Sequence, residues 1–160
     1  MAMTRTRRRS SWEQHFPTRL RFERTARAAK PPHTRRAVGG RKYTRIAYEL
    51  VVPVPEYEDR QIELLFHRTT PQPELTRIYA DGPTGSPHRY APHPKDPRQR
   101  SSLCLFYPAD PAELRWVPGD GLLSLIEMTR IHLFKEAYWR ETAEWPGEEA
   151  PHPTPDSKPC

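Results

Sequence analysis

Cysteine is scarce in this 160-residue chain, with only Cys104 and Cys160. Two such residues, one in an apolar segment and one at the last position, do not make a disulfide framework in a reducing compartment. Cys104 is therefore read as a thiol, and Cys160 as an exposed tail thiol with no role. Long hydrophobic runs are also absent. No stretch approaches the roughly 20 apolar residues that cross a bilayer, and Arg7, Arg8 and Arg9 lead into Ser10, Ser11, Trp12 and Glu13 instead of an apolar signal core. A cytoplasmic location is expected. There is no glycine-rich phosphate loop, so any ATP-driven activation has to come from another protein. His88, His93 and His152 lack the clustered Cys/His spacing of a zinc site, and neither a metal nor a cofactor is expected.

Apolar residues are few as well, at 35%, while 20 prolines are spread through the chain. One domain with loops and tails fits this balance, with roughly 100 to 115 ordered residues. The organisation expected is a basic flexible leader over 1–17, a single domain over 18–152 and a polar tail over 153–160.

The net charge of +6 divides unevenly. Residues 1–45 hold 14 Lys and Arg against 2 Asp and Glu, whereas residues 46–160 hold 12 against 18. The basicity belongs to an arm and not to the fold. Such an arm can bind phosphates in a salt-dependent way. With an acidic remainder and no recognition motif, nucleic acid is at best a minor partner, and an acidic protein surface suits the arm better.

Along the chain, a short helix is expected near 18–29, followed by a linker from Pro31-Pro32 to Gly39-Gly40. Ile46, Tyr48, Leu50, Val52 and Val54 alternate as in a strand with one buried face, and Ile62, Leu64 and Phe66 repeat the alternation. Segments 43–54 and 61–67 are thus expected to pair antiparallel, with a weaker strand over 76–80 before the turn Asp81-Gly82-Pro83. Residues 83–102 carry five prolines and no apolar period; a loop of this length in a small domain usually carries function. It enters the apolar segment Leu103-Cys104-Leu105-Phe106-Tyr107, read as a strand. From Leu122 to Tyr138, Leu122, Leu125, Ile126, Leu133 and Ala137 share one helical face. The predicted class is α+β, an antiparallel meander of about four strands packed on helices.

Pro87-His88-Arg89-Tyr90, then Leu103-Cys104-Leu105, then Trp116-Val117-Pro118 and the long helix after it resemble the active-site stretch of ubiquitin-conjugating enzymes. In that family a His-Pro-Asn tripeptide precedes an Ile/Leu-Cys-Leu segment, followed by Trp-Ser-Pro and a helix. Bacterial relatives look closer still, with His-x-Tyr before Leu-Cys-Leu-Tyr and a terminal Gly-x-Trp-x-Gly-x-Glu followed by His. Here that end reads Glu144-Trp145-Pro146-Gly147-Glu148 and continues to His152. The resemblance covers about residues 43–152. The chain is similar to the stand-alone conjugating enzymes of bacterial antiphage operons that signal through cyclic oligonucleotides.

The resemblance implies the fold of that family and a cytoplasmic transferase in which Cys104 takes the C-terminus of a partner protein as a thioester and passes it to an amine. The partner it implies is a cyclic GMP-AMP synthase-like nucleotidyltransferase or a ubiquitin-like protein, with a separate activating enzyme as a further partner. The family's Asn is missing, and residues 91–101 look inserted. His88-Arg89-Tyr90 takes the tripeptide's place, with His93-Pro94-Lys95 as the alternative frame. Catalytic candidates are Cys104 as nucleophile, His88 as a brace of the loop, and Tyr90, or a backbone N–H of the loop, as substitute oxyanion donor. Cations such as Arg98 or Arg100 would favour the thiolate. Trp116 and Trp145 are read as packing anchors. A catalytically inactive binding scaffold of the same fold is the competing reading.

Overall fold

The computed structural model describes residues 33–38, 45–67, 76–107, 110–117 and 120–147. The helix expected at 18–29, His152 and the polar tail lie outside them. Strands β2 (Arg45–Val52), β3 (Arg60–His67) and β4 (Arg77–Ala80) form an antiparallel sheet, and β1 (His33–Val38) lies along its β2 edge in the order β1-β2-β3-β4. Helix α1 (Gly121–Thr142) completes a small α+β arrangement.

The register explains the core. Tyr48 faces Leu64 and Leu50 faces Ile62 across β2 and β3, and Leu64 faces Ile78 across β3 and β4. Because strand side chains alternate with a period of two, these residues share one face with Val52 and Phe66. That face packs against Leu122, Leu125, Ile126 and Leu133 of α1, with Leu103 and Trp116 closing the cluster. Trp116 is fully buried beside Phe66, with ring centroids 6.0 Å apart, and its indole N–H donates to Gly121 O at 2.9 Å. Gly121 takes a left-handed φ of 80°, a conformation glycine adopts at little cost. The indole is thereby fastened to the first residue of the helix.

Four expectations are corrected. The Pro-Gly segment read wholly as a linker contains the edge strand β1. The segment around Cys104 is not a strand: it makes only an isolated antiparallel bridge, Arg89 to Leu103. The sheet is also buried on both faces, since Ala47, Leu65 and Tyr79 form a second cluster opposite the main core. The helix runs to Thr142, four residues beyond its expected end, and stops where Ala143 turns left-handed and donates its N–H to Trp139 O at 2.8 Å. No helix among the described residues is long and apolar enough to cross a membrane.

Candidate active site

The Arg89–Leu103 bridge sets the geometry. Cys104 N donates to His88 O at 2.9 Å and Tyr90 N donates to Ser102 O at 2.9 Å, so His88 lies level with Cys104 and Tyr90 level with Ser102. His88 and Cys104 open together into a pocket of about 210 Å³, lined also by Leu105, Met128, Ile131, His132, Lys135 and Trp145. Cys104 is 8% exposed and His88 6%.

One wall belongs to α1. Met128, Ile131, His132 and Lys135 stand at i, i+3, i+4 and i+7, the spacing that puts side chains on one helical face. Another comes from the chain just past the helix. The left-handed turn at Ala143 brings Trp145 back over the histidines, with ring centroids 4.1 Å from His88 and 5.5 Å from His132. The two histidine rings are 6.4 Å apart and perpendicular.

Beneath the pocket lies a buried charge cluster. Arg89 donates through Nε and Nη2 to the two oxygens of Glu136, at 2.8 and 2.7 Å, in a bidentate pair. Arg140 donates to the same carboxylate at 3.0 Å, and also to Pro83 O at 2.8 Å and Gly85 O at 3.1 Å, tying the loop's start to the helix. His132 Nε2 is enclosed 3.4 Å from Glu136 Oε1, close enough for charge pairing but not aligned as a hydrogen bond. The Glu136 side chain is entirely buried. Burial alone would raise its pKa, but the hydrogen bonds and charge of Arg89, with His132 close by, outweigh it and hold the carboxyl at about 2.

No protein-family model matches this chain, and no curated protein matches its sequence.

The other expected site residues are placed differently. Tyr90 does not line the pocket. It sits two positions along the bridged segment from His88, a shift of about 7 Å in extended chain, and its charged neighbourhood is Arg77 and Tyr107; burial raises its phenol pKa. A role as oxyanion donor beside Cys104 does not fit that position. The alternative histidine, His93, is in an exposed turn, where its Nδ1 accepts from Lys95 N at 3.1 Å.

Arg98 is exposed, and Arg100 is engaged on the far face of the sheet. Its guanidinium donates to Glu63 at 2.8 Å and Asp96 at 3.3 Å and lies 3.8 Å over the Tyr79 ring. Lys135, on a helical stripe not singled out in the sequence, is the cation of the pocket. Asp96 shapes the loop: its carboxylate accepts from the backbone N–H groups of Arg98 and Arg100 at 3.2 and 2.9 Å. Burial opposes its ionisation, yet these N–H groups and the Arg100 charge hold its pKa below the usual range.

Cys104 is disulfide-bonded. The sequence holds one other cysteine, Cys160, which lies outside the described residues. The expectation that Cys104 is a thiol is thus corrected. It rested on compartment and cysteine count alone. Nucleophilic chemistry at this sulfur requires prior reduction, by attack of an external thiolate on the disulfide.

Proposed function

We propose that this chain is a transferase with a fold like that of ubiquitin-conjugating enzymes, and that in its reduced form it carries the C-terminus of a partner protein as a thioester on Cys104. The observation that carries the reading is the cross-bridge pairing of His88 with Cys104 at the mouth of one open pocket. His88 arrives from the proline-rich loop and Cys104 from the segment after it, in the chain order the resemblance implies.

In the reaction, the Cys104 thiolate attacks the carbonyl of an incoming thioester, a new C–S bond forms, and the previous thiolate leaves. An amine then attacks the Cys104 thioester, the C–N bond forms, and the C–S bond breaks. Lys135 stands in the same pocket as the sulfur, a cation of the kind that favours a thiolate. Thioester aminolysis is favourable in energy, so positioning supplies much of what is needed. The partner proposed is a cyclic GMP-AMP synthase-like nucleotidyltransferase or a ubiquitin-like protein, loaded by a separate activating enzyme in bacterial antiphage defence.

The test is intact-mass spectrometry of phosphine-reduced protein incubated with a glycine-ended peptide thioester of mercaptoethanesulfonate. A hydroxylamine-sensitive adduct on Cys104, absent in Cys104→Ala, is the expected result. No adduct after full reduction would overturn the reading.

A second reading is favoured by one observation, the disulfide at Cys104: a fold of the same kind that binds a partner without chemistry. It is selected if wild type and Cys104→Ala have equal biological activity.

A further inference from the structure

His132 carries the furthest step. Its ring is 6% exposed, it lines the pocket with Cys104, and Nε2 is enclosed against the Glu136 carboxylate without an aligned hydrogen bond. With that nitrogen enclosed, Nδ1 is the ring nitrogen left to serve the pocket that His132 lines. Behind it Glu136 is fixed by Arg89 and Arg140, so the carboxylate cannot swing away from the ring without leaving the buried Arg89 guanidinium unpaired. Trp145 packs edge-to-face against the ring, with centroids 5.5 Å apart. A buried imidazole with one nitrogen at a carboxylate and the other facing a reacting centre is the arrangement by which a base is oriented for proton transfer.

We propose that His132 is the general base of this site, taking the proton from the amine that attacks the Cys104 thioester, with Glu136 as its positioning residue. The proposal rests on the thioester reading of Cys104. As the amine nitrogen bonds to the carbonyl carbon, its proton passes to His132 Nδ1. The C–S bond breaks, Cys104 leaves as thiolate, and the proton returns from His132 to the sulfur, so the ring ends neutral. The charged and titratable groups around His132 are Glu136 on its own helix with Arg89 and Arg140 behind it, Lys135 beside it, and His88 and Cys104 across the pocket. This base replaces the expectation that Tyr90 assists: Tyr90 is not in the pocket, whereas His132 is.

The test is single-turnover discharge of the peptide adduct from reduced protein, to free lysine and to hydroxylamine, in wild type, His132→Asn and His132→Ala. Loading of Cys104 is followed separately by intact mass, and folding by thermal denaturation. We expect both variants to load, and discharge to lysine to fall by about 100-fold. Discharge to hydroxylamine, a nucleophile that needs little help from a base, should change by less than about threefold. Added imidazole should restore the lysine rate in His132→Ala.

Equal lysine and hydroxylamine losses without imidazole rescue, or wild-type rates in a loaded variant, would overturn the base assignment alone. Failure of wild type itself to load would overturn the thioester reading and the base with it. If His132→Asn does not fold, the imidazole response of His132→Ala decides the question.

Discussion

Two clusters of charge hold the long loop before Cys104, and they differ in what surrounds them. Around Glu136, a bidentate Arg89, Arg140 and His132 meet a carboxylate with no exposed surface, under the pocket and against the helix. Around Asp96, Arg100 spans Asp96, Glu63 and the Tyr79 ring on the opposite face of the sheet, with a quarter of the Arg100 side chain exposed. Both join the loop to the scaffold. They differ in the cost of losing one member, because a buried charge left alone is far more expensive than one that can turn to water.

The comparison is broken most severely by Arg89→Ala, which strands Glu136 in the interior. A loss of about 3–5 kcal/mol in urea denaturation is expected, and a double replacement of Arg89 and Glu136 by apolar residues of similar volume should recover most of it. If Arg89→Ala costs no more than Arg100→Ala, the two clusters are equivalent and the contrast fails.

The next effect comes from pH. Glu136 has its folded pKa depressed to about 2 from 4.5. Its contribution is therefore fully present above pH 4.5 and is lost as the pH falls from there through 2. The loss is on the order of 3 kcal/mol. Urea midpoints measured between pH 6 and 2 should show this drop in wild type and a flatter profile in Glu136→Gln. The folded-state pKa of Asp96 is also lowered, so it contributes in the same direction and in the same acidic window.

A smaller change follows from Arg100→Ala, which removes a partly exposed ion pair and a cation stacked on Tyr79, at about 1 kcal/mol. Smallest of all is Arg130→Ala on the outer face of α1. There Arg130 pairs with Glu127 at i, i+3 in solvent, and a change within about 0.5 kcal/mol is expected. A larger loss would mean that this surface pair matters more than its exposure suggests.

Much of the scaffold was legible because apolar periodicity reports burial directly. The alternation through Tyr48, Leu50 and Val52 and through Ile62, Leu64 and Phe66 appears as the paired core strands, and Leu122, Leu125, Ile126 and Leu133 as the buried stripe of α1. The edge strand β1 was not legible, since His33-Thr34-Arg35-Arg36 offers no apolar alternation and its pairing is set by the neighbouring strand. The second buried face was hidden for a related reason: Ala47, Glu63, Leu65 and Tyr79 lie off the face that the alternation marks, and Glu63 among them meets Arg100 from the loop.

The site was half legible. Motif order brought out His88 and Cys104, which lie side by side. Lys135 and Glu136 fall off the apolar face read from the sequence, but one lines the pocket and the other is sealed beneath it, paired with a residue 47 positions away. A polar residue at a core position of a helix, such as Thr129, His132 or Glu136, is the signal that could have found them.

The left-handed turn at Ala143 has a consequence for when the pocket exists at all. Trp145 is held over the histidines by a chain that leaves the helix at its last hydrogen bond, and terminal turns open at far lower free energy than whole domains. Fraying there would strip the indole from the two imidazoles while sheet and core stay folded. The cavity's lifetime is then governed by one helical terminus, and amide exchange at Ala143 should track access of small reagents to the sulfur side of the molecule.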